Sequence, residues 1–106
     1  MIRNGRTVTL GDAFVRELER TEQYVGRTIP GRGRKFVSDV LDFLFETLSP
    51  LPFAYPAHTY QPTAGVSLRR AVFRKEYVIF YEVGDLAVSF VFFHHTSRNS
   101  PDLGFL

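Results

Sequence analysis

Between residues 68 and 95 the chain carries three strongly apolar runs separated by only two residues each. They are Leu68 to Arg74, Tyr77 to Val83 and Leu86 to His95, broken at Lys75-Glu76 and Gly84-Asp85. The runs are rich in Val, Ile, Phe and Tyr, whose branched or ring side chains suit a pleated surface. Breaks this short force the chain back on itself, so the three runs are expected to form an antiparallel meander. Gly84 supplies the backbone freedom that a tight turn requires.

Two-residue turns would set Arg74 opposite Tyr77 and Val83 opposite Leu86. Alternation then puts Arg70, Val72, Tyr77, Ile79, Tyr81, Val83, Leu86, Val88, Phe90, Phe92 and His94 on one face. The other face carries Arg69, Ala71, Phe73, Val78, Phe80, Glu82, Ala87, Ser89, Val91, Phe93 and His95. The first face is larger and more apolar, and is expected to be the one covered by helices. The second still shows Phe73, Val78, Phe80, Val91 and Phe93, an apolar patch that points to a protein partner. A register slip of one residue would exchange the faces.

The N-terminal half reads differently. Thr7 and Val8 suggest a short first strand, and Thr9 an N-cap with Asp12 in the capping-box position. Phe14, Leu18 and Val25 follow spacings of four and seven, so they share one face of a helix. Gly26 and Pro30-Gly31-Arg32-Gly33 end it. A second helix is expected from Arg34 to Leu48, with Val37, Val40, Leu41, Leu44 and Leu48 as its stripe and Phe36, Phe43 and Phe45 widening it. Pro50 and Pro52 stop it. Residues 49 to 67 then form a long loop, a length that often carries function. The tail from Thr96 to Leu106 has too much Pro, Gly and Asn for regular structure. The expected fold class is α+β: an N-terminal helical hairpin packed on a small, mostly antiparallel sheet.

With 106 residues the chain is sized for a single domain, residues 1 to 106. Hydrophobic residues make up 44% and charged residues 23%, a globular balance rather than a disordered one. There is no Cys, which excludes disulfides and thiolate chemistry and suits a reducing compartment. No apolar run reaches the roughly 18 residues of a membrane span, and Met1 to Leu10 lacks a signal-peptide core. A cytoplasmic protein is expected. The net charge of +2 does not by itself argue for nucleic acid. Its distribution is uneven: Arg27, Arg32, Arg34 and Lys35 form one basic cluster, and Arg69, Arg70, Arg74 and Lys75 another. The first is read as a solvated turn; the second, in a strand, is the better functional candidate.

His94 and His95 are adjacent in a strand and point to opposite faces, so they do not share a metal ion. No metal site and no cofactor is expected, and no phosphate loop or nucleophile elbow is present. Arg69 and Glu82 are expected to form a cross-strand pair. Arg98, beyond the last strand, is equally a solvated arginine or a contact for phosphate or an acidic surface, with Asn99 and Asp102 as weaker candidates.

A helical hairpin followed by a three-stranded meander resembles the toxins of the RelE/ParE superfamily. Leu68-Arg69-Arg70-Ala71 resembles their strand after the long loop, and Tyr77-Val78-Ile79-Phe80-Tyr81-Glu82-Val83 their central strand. The segment from Val91 to Asn99 is similar to their last strand and the His-containing stretch after it. The resemblance implies a bacterial type II toxin–antitoxin (plasmid stabilisation) system, with a cognate antitoxin as partner and a hetero-oligomer of the two. ParE-like members block DNA gyrase; RelE-like members are ribosome-dependent endoribonucleases that cut mRNA. RelE-like members commonly carry an Arg after the central strand's first aromatic, where this chain has Val78, so the ParE branch is the closer. The antitoxin would then bind at Phe73, Val78, Phe80, Val91 and Phe93, and the target at His95, Arg98 and Asn99. A ribonuclease would instead use Arg69, Glu82, His95 and Arg98, with the ribosome and mRNA as partners. A degenerate binding module without toxicity is the third reading.

Overall fold

The computed structural model describes residues 2–3, 6–27, 29–55 and 67–96. Strands β1 (Ile2–Arg3) and β2 (Arg6–Leu10) precede helices α1 (Asp12–Val25) and α2 (Arg32–Asp42). A π-helical turn, Phe43–Leu48, extends α2 to the end of its apolar stripe. Strands β3 (Ser67–Phe73), β4 (Tyr77–Val83) and β5 (Ala87–His95) follow. The sheet runs β1-β2-β5-β4-β3, with β2 parallel to β5 and every other pair antiparallel. This is the α+β architecture expected, with the sheet mostly antiparallel. Among the described residues no helix is long and apolar enough to cross a membrane.

Each helix lays one stripe on the sheet. Phe14, Leu18 and Thr21 are the buried positions of α1. The Thr21 hydroxyl donates to the Glu17 carbonyl at 2.9 Å, so its burial leaves no polar group unpaired. Phe36, Val40, Leu44 and Leu48 recur every fourth residue through α2 and the π-turn, and all are buried. The turn closes where both the amide and the hydroxyl of Ser49 donate to the Leu44 carbonyl. Aromatic edges fill the space beneath: Phe14 meets Phe93 edge-on at 5.6 Å, and Phe36 lies 4.9 Å from Tyr77.

Local expectations are corrected at four places. At the β4–β5 turn Val83 faces Val88 rather than Leu86, a shift of two residues that leaves the faces unchanged. Thr9 does not cap α1. It pairs with Ser89 in the parallel ladder, where its hydroxyl donates to Ser89 Oγ at 3.0 Å, and Gly11 takes the capping position. The ladder reaches that far because the Gly11 amide still donates to the Phe90 carbonyl. Third, the β3–β4 turn holds three residues, Arg74 to Glu76, so Phe73 and not Arg74 faces Tyr77. Arg74 and Lys75 both adopt left-handed backbone, at φ 53° and 64°. The Glu76 carbonyl is meanwhile taken by the Thr96 amide and hydroxyl across the sheet. Fourth, β5 carries a bulge: Tyr81 pairs with Phe90 but Phe80 with Phe92, leaving Val91 as the extra residue.

The slip in β3 and the bulge in β5 exchange faces for both segments. Phe73 and Phe93, expected on the face away from the helices, are core residues at 7% and 0% exposure. Arg70, Val72, Phe92 and His94, expected beneath the helices, instead share the far face with Val78 and Phe80.

Candidate functional site

The far face of the sheet is centred on β4. Its Val78 lies between Val72 of β3 and His94 of β5, and Phe80 between Arg70 and Phe92. Val78 and Phe80 are themselves 4% exposed, while Val72 is 44% exposed. Phe92 and His94 stack at 6.3 Å on the same face. Of the five residues expected to bind a partner, Val78 and Phe80 are on that face but are buried rather than exposed, and Val91 is the bulged residue. Phe73 and Phe93 are removed from the set because they pack against Phe36 beneath the helices.

The residues expected for ribonuclease chemistry are not brought together. Arg69 pairs with Tyr81 and Glu82 with Leu68, so adjacent positions on two strands send Arg69 and Glu82 to opposite faces. The expected Arg69–Glu82 pair does not form. Instead the Arg69 guanidinium donates to the carbonyls of Tyr55, at 2.5 Å, and Phe53, at 3.3 Å, and lies 4.7 Å over the Phe53 ring. It ties the segment after the π-turn to the sheet. Tyr81 helps, its hydroxyl donating to the Pro52 carbonyl at 2.9 Å. Burial pushes the Tyr81 phenol up to about 12, partly opposed by the nearby charge of Arg69, so it stays a hydrogen-bond donor through the neutral range.

His95 sits at the other end of β4, opposite Tyr77. Four residues of strand, about 13 Å, separate Tyr77 from Tyr81. A base at His95 and a cation at Arg69 therefore do not converge on one phosphate. The His95 side chain is 13% exposed, edge-on to Tyr77 at 4.7 Å, with Nε2 3.6 Å from a Glu76 carboxylate oxygen. Arg98, Asn99 and Asp102 lie outside the described residues. Among the described residues no three His, Asp or Glu side chains are grouped to hold a metal ion.

One feature of the surface did not emerge from the sequence. The end of α1, the first turns of α2 and the β3–β4 turn enclose a cleft of about 630 Å³. Arg27, Arg32, Lys35 and Arg74 line it, together with Asp39 and Glu76. Residues from the two basic clusters, about forty positions apart, thus meet at one place. Lys35 at 2.7 Å and Arg74 at 2.5 Å both bind Asp39. Those two hydrogen bonds, Lys35's the stronger influence, hold the Asp39 carboxyl below its ordinary 3.8. The sequence signal was the basic clustering, but only the topology joins its halves.

No known family model matches the chain, and no curated protein matches it in sequence. Solved structures do match in shape. A chain from the chromosomal ParDE toxin–antitoxin system of P. aeruginosa superposes with a TM-score of 0.67 at 12% identity, over 86% of this chain and 96% of that one. A chain of the toxin–antitoxin complex RelBE2 of Mycobacterium tuberculosis gives 0.58 at 21% identity, over 90% and 93%. YafQ of E. coli gives 0.54 at 16% identity, over 87% and 94%. The chain shares its fold with these chains from toxin–antitoxin proteins.

Proposed function

We propose that this chain is the toxin of a type II toxin–antitoxin pair and that it acts by inhibiting DNA gyrase. The observation that carries the choice of target is the dispersal of Arg69, Glu82 and His95. Cleaving RNA requires a proton acceptor at the 2′-hydroxyl and a cation at the same phosphate. Here Arg69 is spent on loop carbonyls, Glu82 is on the other face, and His95 is a strand's length away. The centre of the far face offers Val78 and Phe80, which do neither job. A cognate antitoxin would dock on that face, over Val78, Phe80 and Val91, and the segment with Arg98 and Asn99 would meet the target.

The test is incorporation of labelled thymidine and labelled amino acid in bacterial cells, minutes after this protein is induced alone. Early loss of thymidine incorporation is expected, together with inhibition of supercoiling by purified gyrase. Early loss of amino-acid incorporation would overturn the reading in favour of mRNA cleavage. Growth unchanged with soluble, folded protein would overturn it in favour of a binding module without toxicity.

A further inference from the structure

The cleft between the helical hairpin and the β3–β4 turn has no part in the function proposed above. Its composition is unusual. Four cations face two carboxylates, and Asp39 is already engaged by Lys35 and Arg74. Among the described residues neither Arg27 nor Arg32 has a carboxylate within ion-pair distance. The cleft therefore holds uncompensated positive charge, and the N-terminal end of α2, which opens on it, adds to the potential. The walls are aromatic: Tyr24, Phe36 and Tyr77 all line it. Tyr24 is 57% exposed, and the Arg27 guanidinium lies 5.8 Å over its ring. A volume of about 630 Å³ is within the range of small-molecule sites.

We infer that this cleft binds a nucleoside phosphate, its phosphate held by Arg27 and Arg32 and its base stacked on the Tyr24–Arg27 pair. Cations alone would accept any anion. A planar ring beside them selects ligands that join a negative group to a flat heterocycle, because aromatic and guanidinium surfaces stack on bases. An acidic peptide matches the charge but leaves the aromatic wall unused. The ligand is either a free nucleotide or a unit of a single-stranded nucleic acid, and the two share the same chemistry.

The experiment is fluorescence anisotropy of the full chain at about 50 mM salt, where phosphate contacts are strong. One probe is a labelled oligothymidylate of about eight nucleotides, sized to a single-strand groove. The other is a ribose-labelled nucleoside triphosphate. Saturable binding of the oligonucleotide alone supports the proposal with a polymer as ligand, and binding of the triphosphate supports it with a free nucleotide. Arg32→Ala is expected to weaken binding about tenfold and to lower the salt slope by about 1. Tyr24→Ala is expected to weaken it about fivefold or more through lost stacking. Arg34→Ala removes the same charge from the same helix but does not line the cleft, and should leave binding within about twofold. Absence of binding by both probes would overturn the proposal. So would equal losses in Arg32→Ala and Arg34→Ala, which mean general surface charge, or competition by polyglutamate as effective as by unlabelled oligonucleotide.

Discussion

Asp39 shows how much one side chain can organise here. Its two oxygens join α2 to the β3–β4 turn, one taking Lys35 and the other Arg74. Both partners favour the ionised form, so its pKa is lowered in the fold. A carboxyl of this kind adds stability above its unfolded pKa and loses it as pH falls through its folded value. Asp39→Asn should therefore lower the urea midpoint at about pH 7, and the gap from the parent should close as pH is taken below 3.8. Added salt should narrow it too, since Lys35 and Arg74 are well exposed. A gap that persisted at low pH would trace the effect to something other than charge. None of this was legible beforehand. Lys35 and Asp39 have the helical i,i+4 spacing, but Arg74 is 35 residues away and reaches Asp39 only because the turn folds over α2.

At the level of elements, the helical hairpin is tightly closed at Gly33. A Cβ on Gly33 would stand 2.3 Å from the Glu22 carbonyl oxygen, closer than real contacts allow. That neighbour is α1 backbone and cannot swing aside, so Gly33→Ala must push the helices apart. It should destabilise by about 1–3 kcal/mol despite the better helix propensity of alanine. Thermal unfolding checks this; Gly31→Ala is no control, because Gly31 has positive φ. The elements themselves were readable from the chain. Spacings of four marked the helical faces, and three apolar runs with short breaks marked the meander. Register was not readable. Arg74 and Lys75 adopt left-handed backbone without the Gly or Asn that usually announces it. The bulge at Val91 has no compositional mark at all. Each shifts its segment by one residue, and with a period of two each one reverses a face.

For the whole molecule, that reversal decides which residues a partner can touch. Neighbours in β3 become a direct contrast: Phe73 is buried against Phe36 and Phe43, while Val72 is exposed on the far face. Phe73→Ala should cost about 3–5 kcal/mol of stability. In whatever fraction stays folded it should leave affinity for the proposed antitoxin unchanged. Val72→Asp should leave the unfolding midpoint nearly unmoved and weaken antitoxin binding at least about tenfold, as a desolvated charge would. Titration calorimetry and thermal melts on the two variants separate these outcomes, and equal effects on both measurements would remove the far face from consideration as the docking surface. The candidate site was thus partly legible. Val78 and Phe80 were assigned to the correct face from alternation within a single strand, though both are buried there. Assignments that passed through the β3–β4 turn or the β5 bulge were not correct, whereas those of Val88 and Phe90, across the β4–β5 turn, were.

The parallel pairing of β2 with β5 joins the first part of the chain to the last, with Thr9 and Ser89 80 residues apart in sequence. Closing so long a loop costs entropy before any contact repays it, and folds dominated by such pairings form slowly. A ribosome making this chain must release it through residue 95 before the whole of β5 can enter between β2 and β4. Until then the sheet lacks its central strand, and α1, which packs on β5, has no floor. Whatever the folded domain does therefore begins only after β5 has emerged and paired. That interval is when a binding partner already present would meet it.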